Sequence, residues 1–143
     1  MTNDHTEKQL IEWDFFIAHA SADRGPAEAL YELLKPAKVF LDTKSLLLGD
    51  EWDRELPLAQ SRSRITVVLV SSNTDQAYYE SEEIASAIIL GRQDKSKHRV
   101  VPVFLDDRPD ETKVPYGLLR KHGVYVSREG GLEAVSIKLK ELL

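Results

Sequence analysis

The 143-residue chain has the length of one domain and, at 42% hydrophobic and 30% charged residues, the balance needed to bury a core. It has no cysteine, which excludes a disulfide framework, a thiolate zinc site and a cysteine nucleophile, and which fits a reducing, cytoplasmic setting. Net charge is −5, with no basic stripe for nucleic acid, no apolar run near the ~18 residues of a membrane span, and a polar start (MTNDHTEKQ) lacking a signal-peptide core.

Residues 1–11 read as a polar lead-in, and 12–143 as one domain. Trp13 to Ala18 is a short apolar run, the pattern of a strand buried on both faces. Asp23 or Ser21 suits the cap of a following helix, and Pro26 suits its first turn. Ala27, Leu30, Leu33 and Leu34 recur at helical spacing until Lys35-Pro36 stops them. Val39 to Asp42 predicts a second strand. Thr43 to Asp50 predicts a loop carrying three leucines, Leu46, Leu47 and Leu48, before Gly49. Glu51 to Ser63 predicts a helix with Trp52, Leu56 and Ala59 on one side, kinked or shortened by Pro57.

Ile65 to Val70 is the clearest strand: uncharged and β-branched at all but one position. Ser71 to Thr74 breaks it. A helix is expected over Tyr78 to Leu90, ended by Gly91. Val100 to Leu105 predicts a fourth strand, where Pro102 suits an edge or a bulge. Val124 to Val126 predicts a fifth, and a last helix is expected over Leu132 to Leu143. Five β-α alternations with short connections imply a parallel sheet covered by helices on both faces. That is an α/β, flavodoxin-like three-layer sandwich of strand order 2-1-3-4-5. Ligands then bind beyond the carboxyl ends of the strands, at residues 19–23, 42–49, 71–79 and 106–108.

Several chemistries are excluded. The first strand is followed by no G-x-G-x-x-G, and the chain contains neither a G-x-x-x-x-G-K-[ST] loop nor a G-x-S-x-G elbow. His5, His19, His98 and His122 have no metal-ligand spacing. Glu83 stands out. On a helical wheel it shares a stripe with Tyr79, Ala87 and Leu90, at ~100° per residue. A carboxylate on an apolar stripe is costly to bury without a partner. The plainer reading is a partly solvated acidic residue near a helix start. Glu80 and Glu82 read as solvent-facing charges. The three leucines either fold back on the core or form a lid or self-association surface. Trp52 is either a core anchor or a stacking platform.

Taken together, these segments resemble a TIR (Toll/interleukin-1 receptor) domain. EWDFFIAHASADR resembles the family's first box. VFLDTKSLLLGDEW resembles its second strand and BB loop, and ITVVLVSSNTDQAYYESEEI the third strand and the helix carrying W-x-x-x-E. The likeness runs over about 13–143, with Tyr79 in place of the usual Trp and Ala18 where Ser is common. The resemblance implies a bacterial type that cleaves the nicotinamide–ribose bond of NAD⁺, giving ADP-ribose or a cyclic isomer in immune signalling. NAD⁺ is then substrate, with no cofactor and no metal. It implies Glu83 as the catalytic carboxylate, and Phe16, His19, Ser21, Asp42, Leu48, Trp52, Ser71 and Tyr79 around the substrate. It implies self-assembly of TIR domains through Leu46, Leu47, Leu48 and Gly49, and allows a further domain in a longer chain. The alternative is a non-catalytic TIR–TIR module or a mimic of host signalling.

Overall fold

The computed structural model describes residues 10–143 apart from 77, 95, 96, 115 and 120; at 76, 78, 79, 111, 116 and 119 it describes the backbone alone. Most of the polar lead-in therefore lies outside the described residues. Five parallel strands form one sheet: β1 (Trp13–Ala18), β2 (Val39–Phe40), β3 (Ser63–Val70), β4 (Arg99–Phe104) and β5 (Val124–Tyr125). Their order is β2-β1-β3-β4-β5, the doubly wound order expected from the alternation. β3 is the longest strand and pairs on both sides, Ala18 against Val68 and Val68 against Pro102. Its β-branched run suits this doubly covered position. The edge strands β2 and β5 have two residues each, which leaves little backbone open to strand pairing with another chain.

The longer helices are α1 (Arg24–Leu34), α3 (Trp52–Ser61), α4 (Tyr78–Gln93) and α7 (Leu132–Lys140). Short turns of helix are α2 (Asp42–Ser45), α5 (Tyr116–Leu119) and α6 (Val126–Glu129). Alternate residues of each strand point to opposite layers. Phe15, Ile17, Val67 and Leu69 meet Ala27, Leu30 and Leu34 of α1 and Val135 and Leu139 of α7. Phe16, Ala18, Val68 and Val70 meet Leu56 and Ala59 of α3 and Ile84 and Ala87 of α4.

Several local expectations are corrected. α4 does not stop at Gly91 but runs to Gln93; Gly91 is buried where the helix approaches the His98 carbonyl and Val100. The loop after β2 opens with the single helical turn α2, and β2 ends two residues before Asp42. β5 ends at Tyr125, and Val126 begins α6. Pro102 sits in an inner strand. β5 runs beside only Val103 and Phe104, so the proline lies just outside that pairing. A Cβ at Gly123 would come within 2.5 Å of the Pro102 carbonyl, so only glycine lets the chain enter β5 there.

Candidate active site

β1 ends at Ala18, and the chain turns at once through His19 and Ala20 into a 3-10 turn, Ser21–Asp23. Asp23 occupies the cap position of α1 but makes no side-chain capping bond. It is buried instead, and accepts hydrogen bonds from the Ser71 hydroxyl and the Asn73 amide. The ends of β1 and β3 are thereby tied together. His19 donates from Nδ1 to the Ala20 carbonyl at 2.8 Å, and its Nε2 lies 2.9 Å from Oδ1 of Asp42. Both ring nitrogens face acceptors, which the doubly protonated imidazolium satisfies. Burial alone would lower the His19 pKa. The Asp42 hydrogen bond, the Ala20 carbonyl and the charges of Asp42 and Glu80 outweigh it, and the pKa is raised above 6.5.

α4 turns Glu83 and Ala87 of the expected stripe inward, together with Glu80 and Ile84. All four are buried, and Leu90 is only half-buried. Glu83 is 9% exposed. Burial first, and then the charges of Asp42 and Glu80, push its pKa up to about 9. Glu82 is exposed as expected, but Glu80 is not: it is fully buried, and neither carboxyl oxygen has a hydrogen-bond partner. Burial lifts its pKa to about 8. The Thr74 hydroxyl and His19 oppose that rise, and Asp23 adds to it. The Thr74 hydroxyl accepts from the Ser71 amide at 2.9 Å and lies 3.4 Å from the Leu69 carbonyl.

Between α3 and α4 lies a cleft of about 250 Å³. Trp52, Asp53 and Leu56 line one wall; Glu82, Glu83 and Ser86 line the other. Three of these side chains are acidic and none is basic. The tryptophan is 41% exposed and forms part of the wall, as a stacking surface would. Gln60, 1% exposed, donates from Nε2 to the Glu83 backbone carbonyl at 2.7 Å and fixes the helix at that residue. Such a lining suits a flat, cationic group.

The sequence-predicted residues separate into groups. Glu83 and Trp52 share the cleft. His19 and Asp42 bind each other beside it, and Ser71 serves the Asp23 tie. Ser21 is exposed in its turn. Phe16 is 1% exposed and stacks on Phe40 at 5.3 Å, so it is packing beneath the site and presents no floor to a ligand. The Tyr79 side chain lies outside the described residues. Leu46 is half-buried against the α3/α4 layer, whereas Leu47 and Leu48 are exposed, at 74% and 105%. Gly49 turns this loop with φ +93°, a conformation that disfavours any side chain. Among the described residues no group of acidic, histidine or cysteine side chains is arranged to hold a metal ion.

Sequence reasoning missed Glu80, Gln60 and Asp53. The signal for Glu80 was present: residues 80, 83, 84, 87 and 91 follow helical spacing once the stripe is turned by one residue.

A family model described as the TIR domain matches residues 15–141. The "Probable 2' cyclic ADP-D-ribose synthase TcpB" of Brucella abortus is 29% identical over 109 residues, covering 71% of this chain and 41% of that protein. The "NAD(+) hydrolase TirS" of Staphylococcus aureus is 25% identical over 143 residues, covering 96% of this chain and 47% of that protein. The chain thus spans less than half the length of these relatives. The crystal structure of the TIR domain of the Toll-related receptor TRR-2 from Hydra magnipapillata superposes with a TM-score of 0.63 at 19% identity. It covers 90% of this chain and 99% of that one, a likeness of fold.

Proposed function

This chain belongs to the TIR-domain family, and on that premise we propose that it cleaves the bond between nicotinamide and ribose in NAD⁺. The observation that carries the reading is Glu83, a nearly buried carboxyl on the wall of an acidic cleft that also presents Trp52. The names of the two bacterial relatives, a cyclic ADP-ribose synthase and an NAD⁺ hydrolase, support the same substrate.

The chemistry needs little more. When the bond from ribose C1′ to the pyridinium nitrogen breaks, its electron pair goes to the ring, which leaves as neutral nicotinamide. The ribose is left with oxocarbenium character, as in glycoside hydrolysis. An ionised Glu83 beside C1′ stabilises that charge and accepts from the ribose hydroxyls. Water then adds at C1′ and loses a proton, giving ADP-ribose; attack by an adenine nitrogen gives a cyclic isomer instead. Trp52 packs against the departing ring, and the His19–Asp42 pair holds the nearby strand ends.

The cleft in one chain fits the nicotinamide–ribose half of the substrate, since a pocket for a whole drug-sized molecule spans about 300–1,000 Å³. A second copy, docked through Leu47 and Leu48, supplies the remaining enclosure, so activity depends on protein concentration. The setting we assign is the cytoplasm, in bacterial immune signalling; among the described residues no helix is long and apolar enough to cross a membrane.

With its pKa near 9, Glu83 is protonated in the free protein at neutral pH. The value of kcat/KM reports the free enzyme, and should rise about tenfold per pH unit from 7 toward 9, then level off. The direct test is chromatography of NAD⁺ incubated with concentrated protein. Equimolar nicotinamide together with ADP-ribose or a cyclic product is expected. Intact NAD⁺ across the whole concentration range would leave the alternative, a TIR–TIR interaction module.

A further inference from the structure

Glu80 is the group this reaction does not use, and it is the most unusual side chain in the molecule. It is fully buried, acidic and without a hydrogen-bond partner at either oxygen. It lies three residues before Glu83 on the inward face of α4, close enough on a helix for the two carboxyls to be neighbours.

The charges around the pair can be counted. From the turn after β1, His19 offers one cation, already bound to Asp42. From the same turn, Asp23 offers a carboxylate held by Ser71 and Asn73. The β3–α4 connection contributes the Thr74 hydroxyl. Among the described residues, no lysine or arginine forms an ion pair with Glu80 or Glu83. Asp42 from the turn after β2, and Asp53 and Glu82 on the cleft walls, face Glu83 with negative charge, so among the described residues no second positive charge balances two buried carboxylates. Two such groups in one site cannot both ionise freely, and they titrate as a unit.

We propose that Glu80 is a positioning residue for Glu83: the two form a coupled carboxyl pair that carries at most one negative charge at neutral pH, and the ionisation of either holds the proton on the other. This rests on the reading of Glu83 as the reacting carboxylate. In chemical terms Glu80 is a brake. When it holds the charge, Glu83 is protonated and cannot stabilise a ribosyl cation. A cationic pyridinium ring entering the cleft draws the charge toward Glu83, so the substrate itself moves the proton onto Glu80.

The test is a pair of titrations. Carboxyl ¹³C shifts of Glu83 are followed by NMR in the wild type and in Glu80→Gln, and nicotinamide release is measured against pH in both. With the neighbour's charge removed, the Glu83 titration should move down by at least about one pH unit. The rising limb of kcat/KM should move with it, so that the variant outpaces the wild type from about pH 8, where Glu80 ionises, and matches it near pH 6. By reciprocity, Glu83→Gln should lower the titration of Glu80 by the same amount, which keeps the test open if Glu80→Gln does not fold. A Glu83 titration at the same pH in wild type and Glu80→Gln, or a Glu80 titration unmoved in Glu83→Gln, overturns the proposal. The NMR arm is independent of turnover. Coupled titrations without nicotinamide release would sink the NAD⁺ reading and leave the pair standing. Nicotinamide release with uncoupled titrations would do the reverse.

Discussion

The two helical layers that cover this sheet are built differently. On one side α1 and α7 meet the strands through Ala27, Leu30, Leu34, Val135 and Leu139, an apolar layer. On the other, α3 and α4 pack with comparable apolar residues but also bury Gln60, Glu80 and Glu83. Packing alone explains the first layer. The second carries buried carboxyls that packing would not choose, because each raises the cost of its own ionisation. On the proposed reading the α3/α4 layer carries the chemistry, and the α1/α7 layer serves packing alone.

This contrast can be broken or sharpened by mutation. The largest expected effect on stability is at Leu30, fully buried in the apolar layer. Leu30→Ala should cost about 2–5 kcal/mol in urea unfolding, the range for a buried leucine cavity; a loss below about 1 kcal/mol would mean that this layer is not the stabilising one. Glu80→Leu should act in the opposite direction. Folding raises Glu80 from 4.5 to about 8, so across that window the folded chain keeps a proton that the unfolded chain has lost. Stability is then greatest below about pH 4.5 and falls as the pH climbs to 8. Removing the carboxyl should therefore stabilise the fold by about 1–3 kcal/mol at pH 8, and by less at pH 4.5. A variant equally destabilised at both pH values would show that Glu80 is well accommodated.

Leu48→Asp should leave monomer stability unchanged, because Leu48 lies fully in solvent. It should shrink the oligomer seen by light scattering at high concentration; an unchanged assembly would remove this loop from the interface. Least of all, Arg24→Ala should leave the melting temperature where it is, since the Arg24–Glu28 pair lies on the exposed side of α1.

Much of this architecture was legible in the chain. β3 declares itself through Ile65 to Val70, and short connections between alternating elements leave few topologies besides the one observed. The ends of elements were harder to place. Gly91 looked like a stop signal, yet β4 packs against it and tertiary contact carries α4 onward. Asp23 had the sequence of a cap but is used to tie two strand ends together. Glu83 was visible as a carboxylate on an apolar stripe. Glu80 was hidden by a sound default, since an acidic residue without a visible partner belongs in water. Only the packing of α4 against β1 and the turn after it reveals that this default fails. Phe16 failed for the opposite reason: its place at the strand end suggested a ligand surface, but Phe40 and the α3/α4 layer cover it.

Glu83→Gln, which keeps the size of the side chain and removes its charge, tests the assignment of chemistry to the α3/α4 layer most directly. Concentrated wild type and variant are matched for melting temperature and oligomer size, and nicotinamide release from NAD⁺ is measured at pH 8. We expect release by the wild type and a loss of at least about a hundredfold in the variant, the scale of removing one transition-state charge contact. Equal turnover by the two proteins would contradict the assignment.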